Sequence, residues 1–372
     1  MVYEIDESCL QLLNAKDENC ILFFEQLALD RRKCKNILIA KRHIFASLAK
    51  ETSLSSVARQ LYNILGKRVS EQKMILDRTP RYCKIVADYD GESVIKDAGK
   101  RILLVKASES AYKDLTSKSI MLAENEDDIS FYKLLGRYYV QTNDLGNIAI
   151  DFDSRNGGGS TICNVLKGII QEKNRMCLCI VDSDKKYGGA TPGGTMSRVK
   201  EIVDGVCQEY FEVVFLGIHE IENLIPMNII EDIINRIGSK SNGLEFMKFL
   251  IAKDDSRESP IFYFDIKRGI PRNAFCLDET ADEEAKRRYR GLELYRNYWR
   301  AFVEEFGVDF EGEGDKLVAG ICERTLEHAM TCFEVIKQKP KPYFLDSYLE
   351  EVWNEIGEKV YCWGCVGARV AV

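Results

Sequence analysis

The stretch that most constrains the fold runs from Arg175 to Asp184 and reads RMCLCIVDSD. Met176 to Val181 is an unbroken apolar run without a turn residue. Such a run predicts a strand covered on both faces, the kind found in parallel sheets. Asp182 and Asp184 stand at its C-terminal end, and strand alternation would turn both to the same side. Two carboxylates with the small Ser183 between them make a pocket for a hard divalent cation such as Mg²⁺. In open parallel sheets the functional crevice lies beyond the carboxyl ends of the strands, where this pair falls.

The surrounding sequence repeats the strand-helix pattern. Ile120 to Ala123 predicts a strand, and Glu126 and Asp127 open a helix through Tyr139, with acidic side chains suited to its N-terminus. Ile148 to Phe152 predicts a second strand, then a glycine turn and a helix to about Lys173. The Met176–Val181 strand follows, then a helix over 195–210 and a strand from Val213 to Gly217. Four strands alternating with three helices predict a parallel sheet flanked by helices, joined by right-handed crossovers. This α/β unit spans 119–226. Residues 1–118 read as a separate N-terminal α/β region. Residues 227–372 read as mainly helical, with segments near 227–237, 243–253, 282–307, 315–338 and 344–358.

Composition excludes several classes. A chain of 372 residues has material for one to three domains and a sizeable core. No run is long and apolar enough for a membrane span, and no secretion signal is read at the start. Thirteen cysteines, odd in number and set mostly in apolar runs, point to reduced thiols in a cytoplasm. A net charge of −7 means that any grip on nucleic acid must come from a local basic surface.

Acidic residues end three of the four predicted strands: Glu124, the pair Asp182 and Asp184, and Glu220 with Glu222. Asp128, one helical turn beyond Glu124, can face the same crevice. Carboxylates gathered this way repel one another unless a cation neutralises them. Gly157, Gly158, Gly159 and Ser160 lead into a helix N-terminus, which can hold a phosphate through backbone N–H groups. An acidic metal site beside an anion turn suggests phosphoryl-transfer chemistry. Basic residues interleaved with aromatics follow at 286–300, and Arg287, Arg288 and Arg290 suit a nucleic-acid backbone. The same segment also reads as an amphipathic helix that buries Tyr295, Trp299, Phe302 and Phe306.

The run Leu122-Ala123-Glu124-Asn125-Glu126-Asp127-Asp128, the later Asp182-Ser183-Asp184 and then Glu220-Ile221-Glu222-Asn223-Leu224 together resemble the TOPRIM fold. The likeness is closest to OLD-family nucleases of the stand-alone type found in bacterial anti-phage defence, and it covers about residues 119–226. The family usually has glycine after the first glutamate, whereas this chain has Asn125. No G-x-x-x-x-G-K-[ST] motif occurs, so an OLD-like ATPase on the same chain is excluded. The resemblance implies a nuclease cleaving DNA or RNA with two ions, Mg²⁺ or Mn²⁺. It assigns Glu124, Asp182 and Asp184 as metal ligands. Asp128 with Glu222 or Glu220 would complete a second position, and Lys267 would stabilise developing charge. It also implies a separate ATPase or sensor as partner, and leaves a homo-oligomer open.

Two other classes compete. One is a catalytically weak TOPRIM scaffold that binds a partner ATPase. The other is a glycosyltransferase, which also places Asp-x-Asp after an apolar strand but gives Glu124 no role.

Overall fold

The computed structural model describes residues 1–239, 241–275, 283–336 and 345–370, with the side chains of 71–73, 160, 283–291 and 336 outside that description. It opens with β1 (Val2–Ile5), α1 (Cys9–Asn14), α2 (Glu18–Arg32), β2 (Ile37–Ala40), α3 (Arg42–Lys50), α4 (Ser56–Lys67) and α5 (Val69–Asp77). Then come β3 (Arg81–Val86), β4 (Val94–Asp97) and β5 (Lys100–Lys106). These strands form a sheet in the order β2-β1-β3-β5-β4. β1 runs parallel to β2 and β3, β3 parallel to β5, and β4 antiparallel to β5. Asp17 caps α2 by accepting the Cys20 N–H at 2.6 Å, and the helix buries Phe23, Phe24 and Leu27.

The expected four-stranded parallel sheet follows. This stretch of the chain runs β6 (Ile120–Ala123), α6 (Glu126–Thr142), β7 (Ala149–Ile150), β8 (Asp153–Asn156), α7 (Ile162–Glu172), β9 (Cys177–Val181), α8 (Gly194–Val203) and β10 (Phe211–Phe215), with β7 outside the sheet. The order is β10-β9-β6-β8. β9 is central and buried along its whole length, as its apolar run requires.

One strand differs from expectation. The apolar run Ile148 to Phe152 does not enter this sheet; β7 within it pairs antiparallel with β13 (Cys365–Val366). The polar Asp153–Asn156 pairs with β6 instead, Ile120 opposite Asp153. At a sheet edge a strand needs no apolar side chains on both faces, so hydropathy marked the wrong segment.

The rest of the chain is α9 (Met227–Ile237), α10 (Gly243–Lys253), β11 (Gly269–Pro271), α11 (Glu283–Phe306), β12 (Lys316–Ala319), α12 (Thr325–Ile336), α13 (Ser347–Gly364) and β13. The segment 315–338 is therefore not one helix. Gly320 interrupts it, and the residues before that glycine pair antiparallel with β11, Gly269 opposite Ala319. No helix among the described residues is long and apolar enough to cross a membrane.

The chain divides into two compact units. The first comprises residues 1–179, 202–214 and 354–372; the second comprises 180–201 and 215–353. In the first, Glu212 is buried and accepts Lys359 Nζ and Trp363 Nε1, each at 2.8 Å, with Arg81 3.7 Å away. The Arg81 guanidinium in turn lies 4.2 Å from the centre of a Trp363 ring. The second is built on an aromatic core in which Trp299, 1% exposed, meets Phe246, Phe264 and Phe302.

Candidate functional site

Asp182 follows β9 directly, and its Oδ2 accepts the Ile221 N–H at 3.2 Å. Asp184 does not continue the strand. Its φ is +54°, so the chain has turned and the alternation expected of an Asp-x-Asp pair no longer applies. The Asp184 N–H donates to the His219 carbonyl at 2.9 Å, and the Gly193 N–H donates to the Ser183 carbonyl at 2.8 Å. The loop after Asp184 closes so tightly that a Cβ at Gly193 would lie 2.3 Å from Asp184 Oδ2. It is held from α11 by Trp299 Nε1, which donates to the Lys186 carbonyl at 2.8 Å.

Residues 219–224 are pinned on the other side. The His219 N–H donates to the Phe262 carbonyl at 2.7 Å. Glu220 and Asn223 form a reciprocal capping box across the short 3-10 turn Ile221–Leu224. The buried Asn223 side chain also donates to the carbonyls of Ile261 and Phe264, both at 2.8 Å. That bracket sets Glu220 against the segment carrying Asp265 and Lys267.

The charged groups then converge. Lys267 Nζ lies 2.7 Å from Glu220 Oε2 and 3.2 Å from Glu222 Oε1. His219 Nε2 stands 3.9 Å from Glu220 Oε1 and 3.8 Å from Asp265 Oδ2. Burial pushes the Asp184 carboxyl above its ordinary range, with Glu220 adding to the rise and His219 opposing it. Burial likewise raises Glu222, against the pull of Lys267. Burial opposes the charge of Asp265 too, but His219 and the Arg268 N–H outweigh it and hold that carboxyl low. Burial also works against the Lys267 ammonium, yet Glu222 and Glu220 hold it above the usual lysine range.

A cavity of about 450 Å³ opens beside these groups. Asp184, His219 and Asp265 line its acidic side, with Tyr187, Tyr263, Tyr295, Lys186, Arg268 and Lys316 around the rest.

The donors fit a divalent cation. Glu222 is 6% exposed, and its Oε2 has no hydrogen-bond partner among the described residues. His219, Glu220 and Asp265 bring their ligand atoms within 4.8 Å of one another, a gathering that a cation would relieve. Asp182, Asp184, Glu220, Glu222 and Lys267 all belong to the second unit.

Glu124 and Asp128 belong to the first. β6, which Glu124 follows, runs parallel beside β9, with Leu122 opposite Cys179. Asn125, at φ −133°, is the extended N-cap of α6, so the position needs no glycine. Asp128 is the other half of that capping box: its Oδ2 accepts the Asn125 N–H at 3.0 Å. In the glycine turn, Gly158 and Gly159 adopt φ +58° and +59°. The N–H groups of Gly157 and Gly158 donate to the carbonyls of Ala123 and Glu124, at 2.7 and 3.1 Å, so neither is directed at an anion. The Ser160 side chain, and those of Arg287, Arg288 and Arg290, lie outside the described residues.

The sequence motifs assigned no site role to His219, Asp265 or Asn223, the last of which appears only within the Glu220–Leu224 run. Asp265 had one signal, its place two residues before Lys267 on the same loop. Compared with protein-family models, curated proteins and solved structures, the chain matches none of them.

Proposed function

We propose that the chain is a divalent-metal-dependent phosphodiesterase acting on nucleic acid. The observation that carries this reading is the convergence of Glu220 and Glu222 on Lys267, with His219, Asp265 and Asp184 at the edge of a cavity. The family resemblance assigns Asp182, Asp184 and Glu222 as cation ligands; among the described residues, the ligand atoms found within 4.8 Å of one another are those of His219, Glu220 and Asp265. Glu124 is assigned to this chemistry by the family resemblance. A bound divalent ion supplies a water of lowered pKa and a clamp on phosphoryl oxygens.

The chain's own groups do the rest. Lys267 places a positive charge where negative charge grows on a phosphoryl oxygen. Lys186 and Lys316 line the cavity and are exposed to take flanking phosphates. Tyr187, Tyr263 and Tyr295 line the cavity, where an unpaired base would find aromatic partners. Under this reading the protein is the cleaving effector of a bacterial anti-phage system, acting with a separate ATPase or sensor.

The test is cleavage of labelled single-stranded DNA, duplex DNA and RNA with Mg²⁺, with Mn²⁺ and with chelator. Cleavage is expected only with metal, and is expected to vanish in Asp182→Asn and Asp184→Asn. Intact substrate under every metal condition would overturn the reading. One observation favours a second one, a scaffold without chemistry: Lys267 already neutralises part of the acidic cluster. A chain that does not cleave but binds a partner ATPase would fit that case.

A further inference from the structure

We infer that His219, Glu220 and Asp265 form a site for a divalent transition-metal ion of the Mn²⁺ class, distinct from the Asp182–Asp184 pair. Their ligand atoms all lie within 4.8 Å of one another. His219 is 3% exposed, yet neither ring nitrogen has a hydrogen-bond partner among the described residues. A buried imidazole left in that state is costly unless something binds it.

The separations fit an ion better than a hydrogen bond. Nε2 is 3.9 Å from Glu220 Oε1 and 3.8 Å from Asp265 Oδ2, too long for either carboxylate to accept a proton. Two neighbouring ligands each about 2.1 Å from a common ion at the right angle of an octahedral site stand about 3.0 Å apart. The two His219 separations would each have to close by about 0.9 Å or less to seat the ion.

Both carboxylates are oriented from behind. Glu220 gives Oε2 to Lys267 and leaves Oε1 towards the imidazole. Asp265 takes the Arg268 N–H on Oδ1 at 2.7 Å and leaves Oδ2 towards it. Outer partners of this kind fix ligands at metal sites. Two carboxylates and a neutral imidazole balance a dication, while Lys267 and Glu222 balance each other. Imidazole among carboxylates favours Mn²⁺ and the later metals over Mg²⁺. His219 and Asp265 also line the 450 Å³ cavity, so the remaining coordination positions are reachable by solvent or substrate.

The inference stands apart from the phosphodiesterase reading, since it concerns binding alone. The probe is Mn²⁺, because exposed Cys207 and the partly exposed Cys34 and Cys322 would compete for Zn²⁺. The full chain is titrated with Mn²⁺ and followed by electron paramagnetic resonance, with the pulsed spectrum read for coupling to ligand nitrogen. Wild type is expected to bind Mn²⁺ with nitrogen coupling, and to do so in the presence of excess Mg²⁺. His219→Gln should abolish the coupling. It and Asp265→Asn should each weaken binding by at least about tenfold, since outer partners alone are worth about 10- to 100-fold.

Asp182→Asn should retain the nitrogen-coupled ion. Circular dichroism of each variant verifies its fold, and Asp265→Asn carries the decision if His219→Gln does not fold. Bound Mn²⁺ without nitrogen coupling in wild type, or no binding at all, would overturn the inference. So would unchanged affinity in a folded variant. Nitrogen-coupled Mn²⁺ in a chain that cleaves nothing would keep this site and remove the phosphodiesterase reading.

Discussion

The Asn223 carboxamide oxygen accepts the Glu220 N–H at 3.1 Å, so the acidic turn and the 261–264 segment are tied through one buried side chain. Asn223→Ala would leave the Ile261 and Phe264 carbonyls without their donor. The expected loss is about 1–3 kcal/mol per buried group left unsatisfied, limited by any water that enters. Thermal unfolding measures it. Mn²⁺ affinity should fall in the same variant, because Glu220 and Asp265 lose their common reference.

Lys267 carries the second prediction. Removing it in Lys267→Ala leaves Glu222 buried and uncompensated. Breaking a buried pair from one side costs about 3–5 kcal/mol, and solvent around the 22%-exposed Lys267 places this case at the low end. Asp184→Asn should do the opposite. Its carboxyl is already raised by burial and by Glu220, so a neutral side chain is expected to hold or raise the melting temperature without metal. A marked fall would show that Asp184 is structural.

Gly193→Ala tests the loop. Its Cβ would meet Asp184 Cβ at 2.6 Å as well as Oδ2, so the aspartate cannot escape by rotating its tip alone. The expected cost is about 1–3 kcal/mol from overpacking, with loss of any metal-dependent cleavage that uses Asp184. Melting temperature and cleavage assay read the two effects separately.

Glu212 sets an acid limit on the first unit. Burial works against its charge, but Lys359, Arg81 and the Trp363 N–H outweigh that and hold the carboxyl below its ordinary value of 4.5. A carboxyl lowered on folding stabilises the folded state above its unfolded pKa. That contribution is lost as pH falls through the folded one. Stability should therefore drop below about pH 4.5, and Glu212→Gln should flatten this limb while lowering stability at neutral pH. An acid limb of unchanged steepness in the variant, measured by denaturant unfolding, would exclude Glu212 as its cause.

What the sequence disclosed was what local pattern encodes. The β9 run was legible because burial on both faces demands unbroken apolar residues. Helices at 227–237 and 243–253 were legible because one face repeats at helical spacing. β8 was not, because Asp153-Ser154-Arg155-Asn156 becomes a strand only through its neighbour β6. β12 was hidden for the same reason, its partner β11 lying far away in sequence. In the candidate site, Glu220 and Glu222 were named from their place after the fourth predicted strand and Lys267 from the family resemblance, and the three do come together. Asp265 was silent, and Asn223 stood in the quoted run without a role, because their parts come from tertiary contacts across about 40 residues.

The first unit is written in three pieces, and its last piece begins at residue 354. Lys359, Trp363 and the β13 strand are therefore the final partners supplied to Glu212 and β7. During vectorial synthesis the residues of the second unit leave the ribosome before those partners do. Until they are made, Glu212 has Arg81 but neither Lys359 nor Trp363, and β7 lacks its strand partner. A chain cut just before residue 354 would lose the partners of Glu212 and of β7 together, so one truncation removes both an electrostatic and a strand closure of the first unit.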